Sequence, residues 1–89
     1  MVSNTVEQTL ESRGKKYGDF SSHAYISQSI KEAMRRQSGW GRLNTAQEEA
    51  LEMIAHKIAR IINGDPDYKD SWHDIAGYAT LVERSLKNE

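Results

Sequence analysis

The stretch Thr45-Ala46-Gln47-Glu48-Glu49-Ala50-Leu51-Glu52-Met53-Ile54-Ala55-His56-Lys57-Ile58-Ala59-Arg60-Ile61-Ile62-Asn63-Gly64-Asp65-Pro66 decides the fold. At about 100° per residue, Leu51, Ile54, Ile58, Ile61 and Ile62 share one helical face, with Glu49, His56 and Arg60 opposite. Thr45 and Glu48 fit a capping box, in which each side chain satisfies an unpaired backbone N–H. Gly64 suits a left-handed C-cap and Pro66 cannot continue the helical hydrogen bonds, so the helix should end at Asn63. A second amphipathic helix follows from within Asp67–Asp70 to about Lys87, carrying Trp72, Ile75, Ala79, Val82 and Leu86 on one face. Thr45 to Lys87 therefore reads as a helical hairpin.

Upstream, Ile26, Ile30, Ala33 and Met34 recur at helical spacing in a segment capped by Asp19 or Ser21 and running to about Gln37. A turn is expected around Gly39-Trp40-Gly41. Before it, Asn4 or Thr5 caps a short helix with Val6 and Leu10 on one face, and Gly14 ends it after Arg13. The expectation is one all-α domain of four helices, compact, with the C-terminal hairpin as its longest feature.

With 89 residues and no cysteine, the chain has no disulfide or thiolate metal site, and a domain this small hides only about 60% of its unfolded surface. Leu81 projects away from the centre of its helix's apolar stripe, which points to coverage by a second subunit in a homodimer or higher oligomer; coverage by the first or second helix is the alternative. Twelve Lys and Arg against 13 Asp and Glu give a net charge of -1, which argues against duplex nucleic acid as partner. Neither a signal peptide nor a membrane-spanning run is apparent, so a cytoplasmic location is expected.

The borders of both hairpin helices are acidic. Carboxylates three or four apart on a helix point the same way and can share a hard cation such as Mg2+ or Mn2+. Glu48, Glu49 and Glu52 form one group; Asp70 and Asp74, with His73 beside them, form another. His56 lies nearer the level of Asp74 than Glu52 does, so Glu52, His56 and Asp74 are the candidate catalytic cluster. The two groups either meet across the hairpin or complete their sites with a neighbouring subunit. The plainer reading is a solvated face, because acids in first turns favour the helix dipole.

Glu48-Glu49-Ala50-Leu51-Glu52 followed by Asp70-Ser71-Trp72-His73-Asp74 resembles the paired E-x-x-E and E-x-x-D motifs of all-α nucleoside triphosphate pyrophosphohydrolases of the MazG type. The resemblance implies Glu49, Glu52 and Asp74 as metal ligands. Ser71 stands where the motif has its fourth acid, and Asp70 would have to substitute one residue early. Arg13-Gly14-Lys15-Lys16-Tyr17-Gly18, Met53–Ile61, Asn63–Tyr68 and Asp74–Ala79 resemble small phage or prophage proteins of unknown function more closely. That likeness carries no settled activity and implies a bacterial host cytoplasm if the chain is phage-encoded; the alternative to nucleotide chemistry is a noncatalytic accessory protein that binds a host protein through an oligomeric helical surface.

Lys16, Tyr17, Lys57 and Arg60 are the candidate nucleotide contacts, the cations for phosphates and Tyr17 for stacking on a base. Lys15, Arg35, Arg36 and Arg42 could join a phosphate patch, and Trp40 could stack; solvated loops and intrahelical ion pairs are the plainer alternatives. Gly77 inside the last helix suggests close packing against another helix or a ligand, with helix contact the plainer reason. His23 has no evident partner in the sequence.

Overall fold

A computed structural model of the chain describes residues 2–86, with side chains from Thr5 onward. The described residues form four α-helices, α1 (Val2–Tyr17), α2 (Phe20–Arg35), α3 (Thr45–Asn63) and α4 (Lys69–Ser85), with a short 3-10 turn at Ser38–Arg42 and no strand. The all-α expectation and the hairpin therefore hold. Lys87, the expected end of the hairpin, lies outside the described residues, and the regular helix stops at Ser85.

Local chemistry sets the ends of these helices, with some differences from expectation. Asp19 caps α2, its carboxylate accepting from the backbone N–H of Ser22 at 2.9 Å. The capping box of α3 is shifted by one residue. The Asn44 side chain accepts from the Gln47 N–H at 2.8 Å, and the Gln47 side chain accepts from the Asn44 N–H at 2.9 Å, so Thr45 is already helical. α1 begins at Val2, which puts Thr5 inside the helix, and it runs through Gly14 to Tyr17. A Cβ at Gly14 would meet nothing, so this glycine only weakens the helix without stopping it.

The positive-φ position falls instead at Gly18 (φ 77°), which turns the chain from α1 into α2. Gly64 ends α3 at φ -132°, outside the left-handed region. Both glycines serve a close approach. A Cβ at Gly18 would collide with the backbone of Asn63, and one at Gly64 with the backbone of Lys16 and Tyr17. Across this contact the Asp65 N–H donates to the Lys16 carbonyl at 2.7 Å, and the Asn63 side chain donates to the carbonyls of Tyr17 (2.8 Å) and Asp19 (2.7 Å). The C-terminus of α1 is thereby fastened to the C-terminus of α3.

α3 is the central element. α4 packs along one side of it and α2 along another, with α1 touching both α2 and α3 less extensively. His56 and Glu52 turn toward α2, whereas Ala50, Ile54 and Lys57 turn toward α4, nearly opposite on the wheel. His56 and Arg60 thus face helices, where the sequence periodicity had set them opposite the core.

The apolar core is small. Among the described residues only Ala50, Ala55 and Ala59 are buried hydrophobics, and no large side chain is fully buried. Small residues on α3 let both neighbours approach closely, but several residues expected in the core lie open. Leu51, Ile62, Trp72 and Leu86 are all exposed, Ile62 by 65% and Trp72 by 54%. Gly77 also lies open, with nothing within reach of an added Cβ, so it marks no helix contact.

Candidate ligand-binding site

Charged neighbours surround the acidic borders of the hairpin. Arg35 of α2 reaches Glu52 at 3.4 Å, and Lys57 reaches Asp74 at 2.9 Å. The Lys57 ammonium, through its hydrogen bond and its charge, holds the Asp74 carboxyl below the usual range. Asp70 accepts from the Tyr68 hydroxyl at 3.0 Å, which raises the phenol's pKa. Glu49 stands exposed at the edge of a shallow cavity with Ala46, Tyr78 and Leu81. No three His, Asp or Glu among the described residues are grouped so as to hold a metal ion. The candidate ligands Glu49, Glu52, Asp70 and Asp74 are thus not brought together as a group of three among the described residues. His56, expected beside Asp74, belongs to the other side of α3.

The candidate nucleotide contacts separate into three places. Lys57 is engaged with Asp74, and Lys16 lies over the ring of Tyr68, 5.0 Å from its centroid. Arg60 and Tyr17 do come together, the guanidinium lying 4.3 Å from the tyrosine centroid, while the Tyr68 ring meets Tyr17 edge-on at 5.8 Å. The wider basic patch does not gather, because Arg35 pairs with Glu52 and Arg36 with Glu32.

Arg60 and Tyr17 border a cavity of about 470 Å³ at the junction of α1, α2 and α3. Its other walls include Arg13 and Leu10 from α1, Phe20 and His23 from α2, and His56 from α3. The volume falls in the range of small-molecule sites, about 300–1,000 Å³. Phe20 is 77% exposed at its rim, an open aromatic face.

Within this cavity His23 and His56 meet edge to face, with ring centroids 4.6 Å apart. Burial lowers the pKa of both imidazoles, and Arg60 adds to the effect; His56 falls to about 4. Both rings are therefore neutral at pH 7, able to donate from one nitrogen and accept at the other. His23 is buried, with 6% of its surface exposed, and its Nδ1 has no hydrogen-bond partner. A buried ring nitrogen left unsatisfied is uncommon in folded proteins.

His23 was not legible as a site residue, since 33 positions separate it from His56 and no local motif joins them. Asn63 was the available signal. A polar residue at the end of an amphipathic helix can fasten another chain segment, and here it anchors the link that carries α2 and His23 into place.

Fold and site together define a small all-helical domain with an aromatic, arginine-bearing cavity where three helices meet. The chain belongs to the DUF6378 family, a domain of unknown function whose family model matches residues 2–86. No curated protein and no solved structure matches the chain. No helix among the described residues is long and apolar enough to cross a membrane.

Proposed function

We propose that the protein binds a nucleotide in the junction cavity. The single observation that carries this reading is the grouping of Arg60, Tyr17, Arg13, Phe20 and two neutral histidines around one cavity of about 470 Å³. Arginine offers a planar donor set for phosphate oxygens, and its plane also stacks on ring systems. Phe20 supplies an open aromatic surface, and base–aromatic stacking contributes about 1–3 kcal/mol per base. The neutral imidazoles suit the donor and acceptor edge of a base rather than its phosphates.

The acidic borders support hydrolysis less well. The pyrophosphohydrolase chemistry implied by the MazG-type motifs requires carboxylates grouped on Mg2+ or Mn2+, and here Arg35, Lys57 and Tyr68 each engage one of them. The donor set does not fit a metal within one chain, so the reading is of binding without turnover. A phage accessory protein acting through a host partner is the alternative. It predicts no nucleotide affinity.

Titration calorimetry with nucleoside mono-, di- and triphosphates tests the proposal. One site per chain is expected, with affinity at least about tenfold weaker in Arg60→Ala, a loss of about 1.4 kcal/mol. Heats absent across the series, or unaffected by Arg60→Ala, would contradict it.

A further inference from the structure

We infer that the open face of the α3–α4 hairpin is covered by a second copy of this chain. The face is built around a groove of about 400 Å³ in which Leu43, Leu51, Ile54, Ala79, Val82 and Leu86 supply the apolar lining. Gln47 and Glu83 are its polar members, so the groove offers little that would select a charged partner. By helical spacing Ile62 continues the Leu51 stripe along α3, and Trp72 lies two heptads before Leu86 on α4. Both are exposed.

Three observations favour a second copy as the occupant. First, no large side chain is fully buried in the described part of a chain of 10.1 kDa, a size at which a single core is marginal. The missing apolar burial therefore has to come from outside the single chain. Second, the strip alternates small residues, Ala50 and Ala79, with large ones, Leu51 and Leu86. A two-fold pairing can set the ridges of one copy into the grooves of the other. Third, the 19-residue α3 makes the strip about 28 Å long, and two adjacent helices make it about 20 Å wide. That is about 560 Å² per partner, or about 1,100 Å² in total, which clears the roughly 1,000 Å² expected of a biological interface.

This face differs from the edge that the sequence marks at Leu81. Leu81 lines a smaller cavity of about 260 Å³ beside Glu49, which adjoins the groove at Ala50 and Val82, and another beside His73 and Asp74, so that border carries more charge than the groove. The inference is independent of the nucleotide reading, because none of the groove residues lines the junction cavity.

The test combines sedimentation equilibrium of the full chain with single-cysteine cross-linking, which is clean because the chain has no cysteine of its own. The expected result is a dimer, twice 10.1 kDa, at about 100 µM. Leu51→Asp should weaken association at least about tenfold with helicity by circular dichroism retained, and Leu81→Asp should leave it unchanged. Should Leu51→Asp fail to fold, Leu51→Cys decides: oxidation should join it into a covalent dimer faster than Leu81→Cys. A monomer at about 100 µM, or an association weakened by Leu81→Asp and not by Leu51→Asp, would overturn the inference. Preferential cross-linking through Leu81→Cys would do the same.

Discussion

The imidazoles of His23 and His56 meet edge to face at 4.6 Å, with an interplanar angle of 84°, joining α2 to α3 beside the Arg60 guanidinium. Burial and the nearby cation make protonation of either ring unfavourable in the folded state.

That pair sets a pH dependence. The folded-state pKa of His56 is lowered from 6.5 to about 4, so between those values the unfolded chain binds protons that the folded chain refuses. Stability is full above pH 6.5 and falls as the pH drops through this window. Partial solvation of His56 limits the loss to about 1–2 kcal/mol. Urea unfolding at pH 7.5 and pH 4.5 should show this difference, and His56→Phe should reduce it.

The glycines predict opposite signs for one kind of substitution. At Gly14 and Gly77 a Cβ meets nothing, so Gly14→Ala and Gly77→Ala should each stabilise by about 0.5–1 kcal/mol through helix propensity. Gly18→Ala places a Cβ against the Asn63 backbone at φ 77° and should destabilise by more than about 2 kcal/mol. Chemical denaturation of the three variants checks the order.

Asn63 holds the α1–α2 link through two hydrogen bonds, to the Tyr17 and Asp19 carbonyls. Asn63→Ala should destabilise by about 1–3 kcal/mol. Hydrogen exchange should accelerate most in α1 and the first turn of α2, with the α3–α4 hairpin retaining more of its protection.

The acids yield a further test. Because Arg35 engages Glu52 and Lys57 engages Asp74 away from the junction cavity, Glu52→Gln and Asp74→Asn should leave nucleotide affinity within about twofold. Adding Mg2+ in place of EDTA should not produce hydrolysis, as judged by release of phosphate or pyrophosphate. Turnover abolished by either substitution would restore the acids to the reaction.

Elements written in local sequence were legible. The apolar periodicity of α3 and α4, the Asp19 cap and the stop at Asn63 all depend on neighbours within a turn. Direction was harder to read. The wheel of α3 has one conspicuous apolar stripe, yet α3 is packed on two sides through alanines, which carry little hydrophobic signal and permit close approach. Hence His56 and Arg60 read as solvent-facing, and Leu51 and Ile62 as buried. The junction cavity was legible only in fragments, Tyr17 and Arg60 among them. Its assembly depends on Gly18 lying against Asn63, 45 residues apart.

The most direct measurement of nucleotide binding uses the three histidines as reporters. In imidazole 1H–15N spectra recorded during a nucleotide titration, His23 and His56 should shift together and saturate, while exposed His73 beside Asp74 stays in place. No movement of His23 and His56, or a saturating shift of His73 alone, would contradict binding at the junction of α1, α2 and α3.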